Sequence, residues 1–288
     1  MIEGAHTALV TPFNADGSID FGKYTELIAR QIEGKIDGIV PVGTTGESPA
    51  VTMEEHCKLI DTAVEAAAGK VKVIAGSGAN STKEALHLTR HAKEAGADAS
   101  LQVTPYYNKP SQEGLYRHFS TVADLGLPVV LYNVPGRTAR EIAVQTVVRL
   151  AGHGNIVGIK EAGGSVDRVS DIVRRCDIEV VSGDDSLTFP MMAVGAKGVI
   201  SVASNVAPEP VSEMVHAALS GDWTKGREQH LKYYGLYTDL FLDTNPIPVK
   251  AAMCMMGLIE EVYRLPMCEM DNGLKEQLAE TMRDLQLL

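Results

Sequence analysis

Short apolar runs rich in β-branched residues alternate with longer stretches of helical period along most of the chain, about eight times before residue ~220. The runs are HTALVTPF from His6, GIVPVG from Gly38, KVIAGSG from Lys72, ASLQVTPYY from Ala99, PVVLYNV from Pro128, IVGIKEA from Ile156, EVVSGDD from Glu179 and GVISVAS from Gly198. Most are continuously apolar at their centres, the pattern of parallel strands covered on both faces. The helical stretches start soon after each run, and two of them, residues 52–68 and 81–95, open on TMEE and STKE, which match a capping box. Repeated right-handed βα units without a break predict a (β/α)₈ or TIM barrel, with a doubly wound open sheet as the structural alternative.

Beyond residue ~222 the period is helical only, over residues 223–242, 246–256 and 273–287. The expected division is a barrel over 1–222 and a helical appendage over 223–288. No low-complexity or Gly/Ser/Pro linker separates them, so the appendage is expected to pack on the barrel.

Composition narrows the function classes. Apolar residues at 45% and charged residues at 22% describe an ordinary globular chain. A formal charge of -11 and the absence of a long Lys/Arg run argue against nucleic acid as a partner. The start MIEGAHTALVTPF lacks the basic and continuously apolar regions of a signal peptide, and no window reaches the ~18 apolar residues of a membrane span. A cytoplasmic location is expected. Cys57, Cys176, Cys254 and Cys268 show no metal-ligand spacing and read as core or surface thiols.

In a barrel the chemistry gathers where strands end in βα loops. GTTGE (Gly43 to Glu47), TPYY (Thr104 to Tyr107), YNVPGR (Tyr132 to Arg137), Lys160 with Glu161, and SGDD (Ser182 to Asp185) all fall there. Lys160 places an amine in an apolar strand aimed at the lumen, where desolvation favours the neutral, nucleophilic form. The structural alternative is a lysine that escapes to solvent or pairs with Glu161. Tyr132 lies one strand earlier at matching depth and is suited to proton transfer, although tyrosines also fill cores. Thr44 and Thr45 sit in a turn that a ligand can approach closely, or they simply cap it. Arg137 offers a planar fork for a carboxylate, or a surface ion pair. Asp184 and Asp185 have no companion ligands, so no metal is expected and a helix N-cap at Asp185 or Ser186 explains them. The chain has neither G-x-G-x-x-G nor a P-loop, so no nucleotide cofactor is expected.

GTTGES at Gly43, TPYYNKP at Thr104, YNVPGRT at Tyr132 and GIKEA at Gly158, in this order, resemble the dihydrodipicolinate synthase family, and the likeness runs through essentially the whole chain. The resemblance implies condensation of pyruvate with L-aspartate 4-semialdehyde, on the route to lysine; from the residues themselves no cofactor is expected. It gives Lys160 the pyruvate imine and makes Tyr132, Thr45 and Tyr107 a proton relay, with Tyr107 reaching the site across a subunit interface. It assigns Arg137 to the semialdehyde carboxylate, and Gly183 and Ile200 to the pyruvate pocket beside Thr44 and Thr45. A homo-oligomer, commonly a tetramer, is implied. So is inhibition by L-lysine at Ser48, His56, Asn80, Glu84 and Tyr106, although Pro49 and Met53 depart from the enterobacterial pattern. A pyruvate-dependent aldolase resembling N-acetylneuraminate lyase, and a non-catalytic sensor of small acids, stay open as alternatives.

Overall fold

The computed structural model describes residues 2–288. Its strands are β1 (Gly4–Ala8), β2 (Gly38–Val40), β3 (Lys72–Gly76), β4 (Ala99–Val103), β5 (Val129–Asn133), β6 (Ile156–Glu161), β7 (Glu179–Ser182) and β8 (Gly198–Ser201). They pair in parallel in chain order, and β8 returns to β1, so the sheet is a closed barrel and not an open one. Around it run α1 (Phe21–Glu33), α2 (Met53–Ala67), α3 (Thr82–Ala95), α4 (Gln112–Ala123), the single turn α5 (Pro135–Thr138), α6 (Val144–Ala151), α7 (Val166–Arg175), α8 (Asp185–Ala193) and α9 (Pro208–Leu219). Three further helices follow: α10 (Trp223–Asp239), α11 (Ile247–Met255) and α12 (Asn272–Asp284).

Successive strand residues face opposite sides, and the apolar runs serve both. Val129, Leu131, Ile159, Val180 and Val199 join the large core between sheet and helices. Val130, Tyr132, Val181 and Ile200 join a second core inside the lumen. Lys160 follows the outward Ile159, so the same alternation turns its side chain inward. Closure requires a close approach at Gly198, whose φ is +149° and where an added Cβ would sit 1.9 Å from the Gly4 carbonyl oxygen.

Local chemistry moves some boundaries. The run from Gly38 is strand only to Val40, because Pro41 has no N–H to continue the ladder, and Val42 turns the chain at φ 52°. The capping box at Thr52 forms in full: its hydroxyl accepts from the Glu55 amide (3.2 Å) and the Glu55 carboxylate accepts from the Thr52 amide (2.8 Å). The box expected at Ser81 does not form; Ser81 precedes α3 as its N-cap but its hydroxyl accepts no amide. Among the described residues no helix is long and apolar enough to cross a membrane.

The C-terminal helices dock on the barrel. α10 lies against α8 and α9, and α11 reaches the GTTGE turn through Lys250, whose Nζ lies 2.6 Å from Glu47 Oε1. Both side chains are buried, at 0% and 1% exposure, so neither ion has water to fall back on. Nζ also donates to the Val262 carbonyl (2.6 Å) and sits 4.4 Å from the Phe13 ring centroid. Removing one ion of such a pair strands the other in low dielectric. Lys250→Met is therefore expected to cost about 3–5 kcal/mol, and Lys250→Met with Glu47→Gln to recover a large part. Urea unfolding midpoints check this; a single variant as stable as the native chain would refute it.

Candidate active site

At the C-terminal mouth of the barrel, a cavity is enclosed by Thr44, Thr45, Tyr132, Arg137, Lys160, Gly183, Asp184 and Asn245, among others. A second cavity shares Gly43, Thr44, Leu101, Tyr132, Val134 and Arg137 with it and opens toward Ser48, Pro49 and Tyr106. Tyr132 and Arg137 thus stand between an inner chamber and an outer vestibule.

Lys160 is 5% exposed, and its register partners are Tyr132 on β5 and Val181 on β7. Its Nζ lies 4.5 Å from the Tyr132 ring centroid. Burial brings its pKa down to about 8; the carboxylates of Asp184 and Asp185 oppose the shift and the Arg137 cation adds to it. Pairing with Glu161 is excluded by the alternation of β6. Glu161 faces the opposite side, where it accepts from Asn133 Nδ2 (2.7 Å), Arg168 Nε (2.9 Å) and the Gly163 amide (3.0 Å). The amine thus shares its chamber with the Tyr132 phenol, Ala162, Gly183 and Asp184, with no carboxylate at ion-pair distance among the described residues.

The Tyr132 phenol is buried and its pKa is pushed up to about 12, by desolvation first; Arg137 and the Thr44 hydroxyl act the other way. The two threonines of the turn have different partners. The Thr44 hydroxyl is the one at the phenol, whereas Thr45, which lines the same cavity, accepts a hydrogen bond from Asn245 Nδ2 (3.0 Å). Arg137 lies in α5 and donates through Nη2 to the Asn245 carbonyl (3.0 Å), which steadies the fork at the threshold between the cavities.

Gly183 packs against the lysine: a Cβ there would lie 2.7 Å from Ala162 Cβ and 2.8 Å from Lys160 Cε. Ile200 is fully buried in the lumen core, and Val202 rather than Ile200 forms the cavity wall on that side. Asp185 is not the N-cap; Asp184 holds that position, and neither Asp185 nor Ser186 does. Asp185 is instead a buried brace for the loop after β8, accepting from Ser201 Oγ (2.5 Å) and from the amides of Val202 (3.0 Å) and Ala203 (3.1 Å). Tyr107 does not join this group within one chain: it is 90% exposed at φ 70° and lines neither cavity.

Of the remaining residues singled out in the sequence, Ser48 and Tyr106 line the vestibule. The Glu84 carboxylate is near enough to Tyr106 to raise its phenol's pKa, after burial. His56 is buried, with Nε2 2.7 Å from the Gly76 carbonyl and its pKa brought down to about 4 by desolvation. The Asn80 carbonyl accepts from Asn108 Nδ2 (2.8 Å). His56, Asn80 and Glu84 line neither cavity. Among the described residues no group of three or more His, Cys, Asp or Glu is placed to hold a metal. Asn245 was not among the candidates, because the helical period around DTNPIPVK carries no sign of which side chain meets the barrel.

A buried amine of lowered pKa, a phenol beside it and a guanidinium at the threshold suit imine chemistry on a small carboxylated carbonyl compound. Comparisons agree. Residues 1–285 match the family model described as "Dihydrodipicolinate synthetase family". The 4-hydroxy-tetrahydrodipicolinate synthase of Aquifex aeolicus is 50% identical over 291 residues, covering 100% of this chain and 99% of the relative. The crystal structure of dihydrodipicolinate synthase from Aquifex aeolicus superposes with a TM-score of 0.97 over 99% of each chain. The chloride-inhibited Acinetobacter baumannii synthase complexed with pyruvate gives 0.98 at 43% identity, over 100% of each chain. The Cyanidioschyzon merolae protein with lysine bound gives 0.96 at 39% identity, over 99% of each chain.

A pKa lowered to about 8 means that Lys160 gains its neutral form as pH rises through that value. Its rate of modification by an amine-selective electrophile is expected to climb tenfold per pH unit and level off above about pH 8, while exposed lysines keep climbing toward about 10.4. Peptide mapping at several pH values checks this, and a Lys160 profile matching the exposed lysines would contradict it.

Proposed function

The chain belongs to the dihydrodipicolinate synthetase family and catalyses the 4-hydroxy-tetrahydrodipicolinate synthase reaction, and from that premise we propose how its residues perform the condensation of pyruvate with L-aspartate 4-semialdehyde. The N-acetylneuraminate lyase-like aldolase and the non-catalytic sensor are set aside by full-length identity of 50% to a synthase. The observation that carries the proposal is the unpaired, desolvated amine of Lys160 beside Tyr132.

Pyruvate enters the inner chamber with its carboxylate on the Thr45 hydroxyl. Neutral Lys160 attacks the ketone carbon to form a carbinolamine. Tyr132, with Thr44 at its phenol, delivers the proton that lets water leave. The protonated imine then draws electrons from C3, which loses a proton to become an enamine, and the enamine carbon bonds to the aldehyde carbon of the second substrate. Arg137 holds that substrate's carboxylate at the threshold, with a fork matched to two oxygens. Finally the substrate's own amine displaces Lys160 and closes the ring. Gly183 keeps the space beside Lys160 Cε open for these species, and Ile200 shapes the floor of the lumen.

Tyr107 supports a second copy as part of the working enzyme. A tyrosine 90% exposed at the rim of its own barrel serves the relay only if it extends into a neighbouring site, so the functional unit is a homo-oligomer, for which we adopt the tetramer. Ser48, Tyr106 and the nearby Glu84, with Asn80 and His56 behind them, supply hydroxyl and carboxylate partners for an amino acid, and we assign L-lysine there as an inhibitor.

Two expectations test this reading. Pyruvate with borohydride should add one reduced pyruvyl group, on the peptide that carries Lys160, and Lys160→Ala should add none. Tyr132→Phe should lower turnover about 10²–10⁴-fold with the barrel intact by circular dichroism, whereas Arg137→Ala should raise the KM for the semialdehyde and leave trapping unchanged; unlabelled Lys160 in the native protein ends the imine proposal. For the inhibitor, L-lysine should slow the native protein and lose most of its effect on Glu84→Gln; equal inhibition of both would remove Glu84 from that site.

A further inference from the structure

Asn245 belongs to the C-terminal helical segment, immediately before α11, yet it reaches the chemistry twice. Its side-chain Nδ2 donates to Thr45 Oγ1 at 3.0 Å and its backbone carbonyl accepts from Arg137 Nη2 at 3.0 Å. It is 5% exposed and lines the same chamber as Lys160. Its Oδ1 is buried with no hydrogen-bond partner.

A threonine hydroxyl has one proton and two lone pairs. No described residue accepts the proton of Thr45; the only side-chain bond it makes is the one it receives. With Nδ2 toward Thr45, the hydroxyl is a committed acceptor on that side, and its proton is free for the chamber. With the amide reversed, Oδ1 would take that proton and leave a lone pair facing an incoming anion. The orphaned Oδ1 follows from the first arrangement: the amide has its nitrogen on the hydroxyl and its oxygen left over. We infer that Asn245 is a positioning residue for this reaction, one that sets the polarity of the Thr45 hydroxyl so that it donates to the pyruvate carboxylate.

The inference rests on the role proposed for Thr45, and the test separates the two. Asn245→Asp keeps the shape but makes the group a pure acceptor, so Thr45 donates to it instead of to pyruvate. Its KM for pyruvate should rise about tenfold or more, as for a lost hydrogen bond to a charged group, and by more than in Asn245→Ala. A role confined to packing gives the reverse order, since the isosteric carboxylate fills the space that alanine leaves empty. The new charge would itself repel pyruvate, and a double-mutant cycle removes that contribution: in a Thr45→Val background the penalty of Asn245→Asp should shrink severalfold. The KM for the semialdehyde should change by less than about twofold in Asn245→Ala, whose backbone carbonyl still holds Arg137. An Asp penalty no larger than the Ala penalty, or one unchanged by Thr45→Val, overturns the inference and leaves the Thr45 assignment standing. If Thr45→Val does not raise the pyruvate KM, the Thr45 assignment fails and the inference with it.

Discussion

Desolvation of one ammonium sets the terms for the rest of this molecule. Lys160 sits where the sheet has closed around it, and burial outweighs two nearby carboxylates in fixing its proton affinity. At pH 7 an amine of pKa about 8 is neutral roughly a tenth of the time, against about three parts in ten thousand for one near 10.5. That difference separates a nucleophile from a spectator. Asp184 and Asp185 limit the shift without abolishing it.

The placement of that amine beside its phenol is a property of the barrel. Tyr132 and Lys160 are register partners on adjacent parallel strands, so their side chains leave the sheet at one level and on one face. An open sheet would put the same two residues side by side but expose them on a face that helices must cover. Closure encloses them in a lumen instead, and the close approach of β8 to β1 at Gly198 completes it. Inside that lumen space is short: even a methyl group at Gly183 would press on Lys160 Cε.

The parts of this arrangement that obey a period were legible in the sequence. Alternation along IVGIKEA turns Lys160 inward, and the same rule applied to PVVLYNV brings Tyr132 to meet it. Turns follow no such rule. GTTGE shows two adjacent threonines, but their spacing does not say which hydroxyl meets the phenol, in a turn flanked by left-handed backbone at Val42 and Glu47. Asp185 reads as a cap because acids collect at helix starts, yet its carboxylate is drawn back to brace Ser201, Val202 and Ala203. Ser81 has the spacing of a capping box and does not use it. Tyr107 is conspicuous in TPYY, while no local pattern tells that its ring stands 90% exposed and outside both cavities.

The C-terminal helices look from their period like a cover packed on a finished barrel, and the contacts they make assign them more. The GTTGE turn contains a left-handed glutamate, a conformation that L-residues adopt at a cost, and something must hold it. The buried Lys250 pairs with that glutamate, and the Arg264 amide also donates to it (3.3 Å). A few residues earlier, Asn245 touches Thr45 by its side chain and Arg137 by its backbone. One short stretch of the appendage therefore fixes the turn's backbone, one of its hydroxyls and the guanidinium across the chamber. A barrel without these helices would still point Lys160 inward, since β6 alone decides that, but the groups proposed to hold each substrate's carboxylate would lose what orients them.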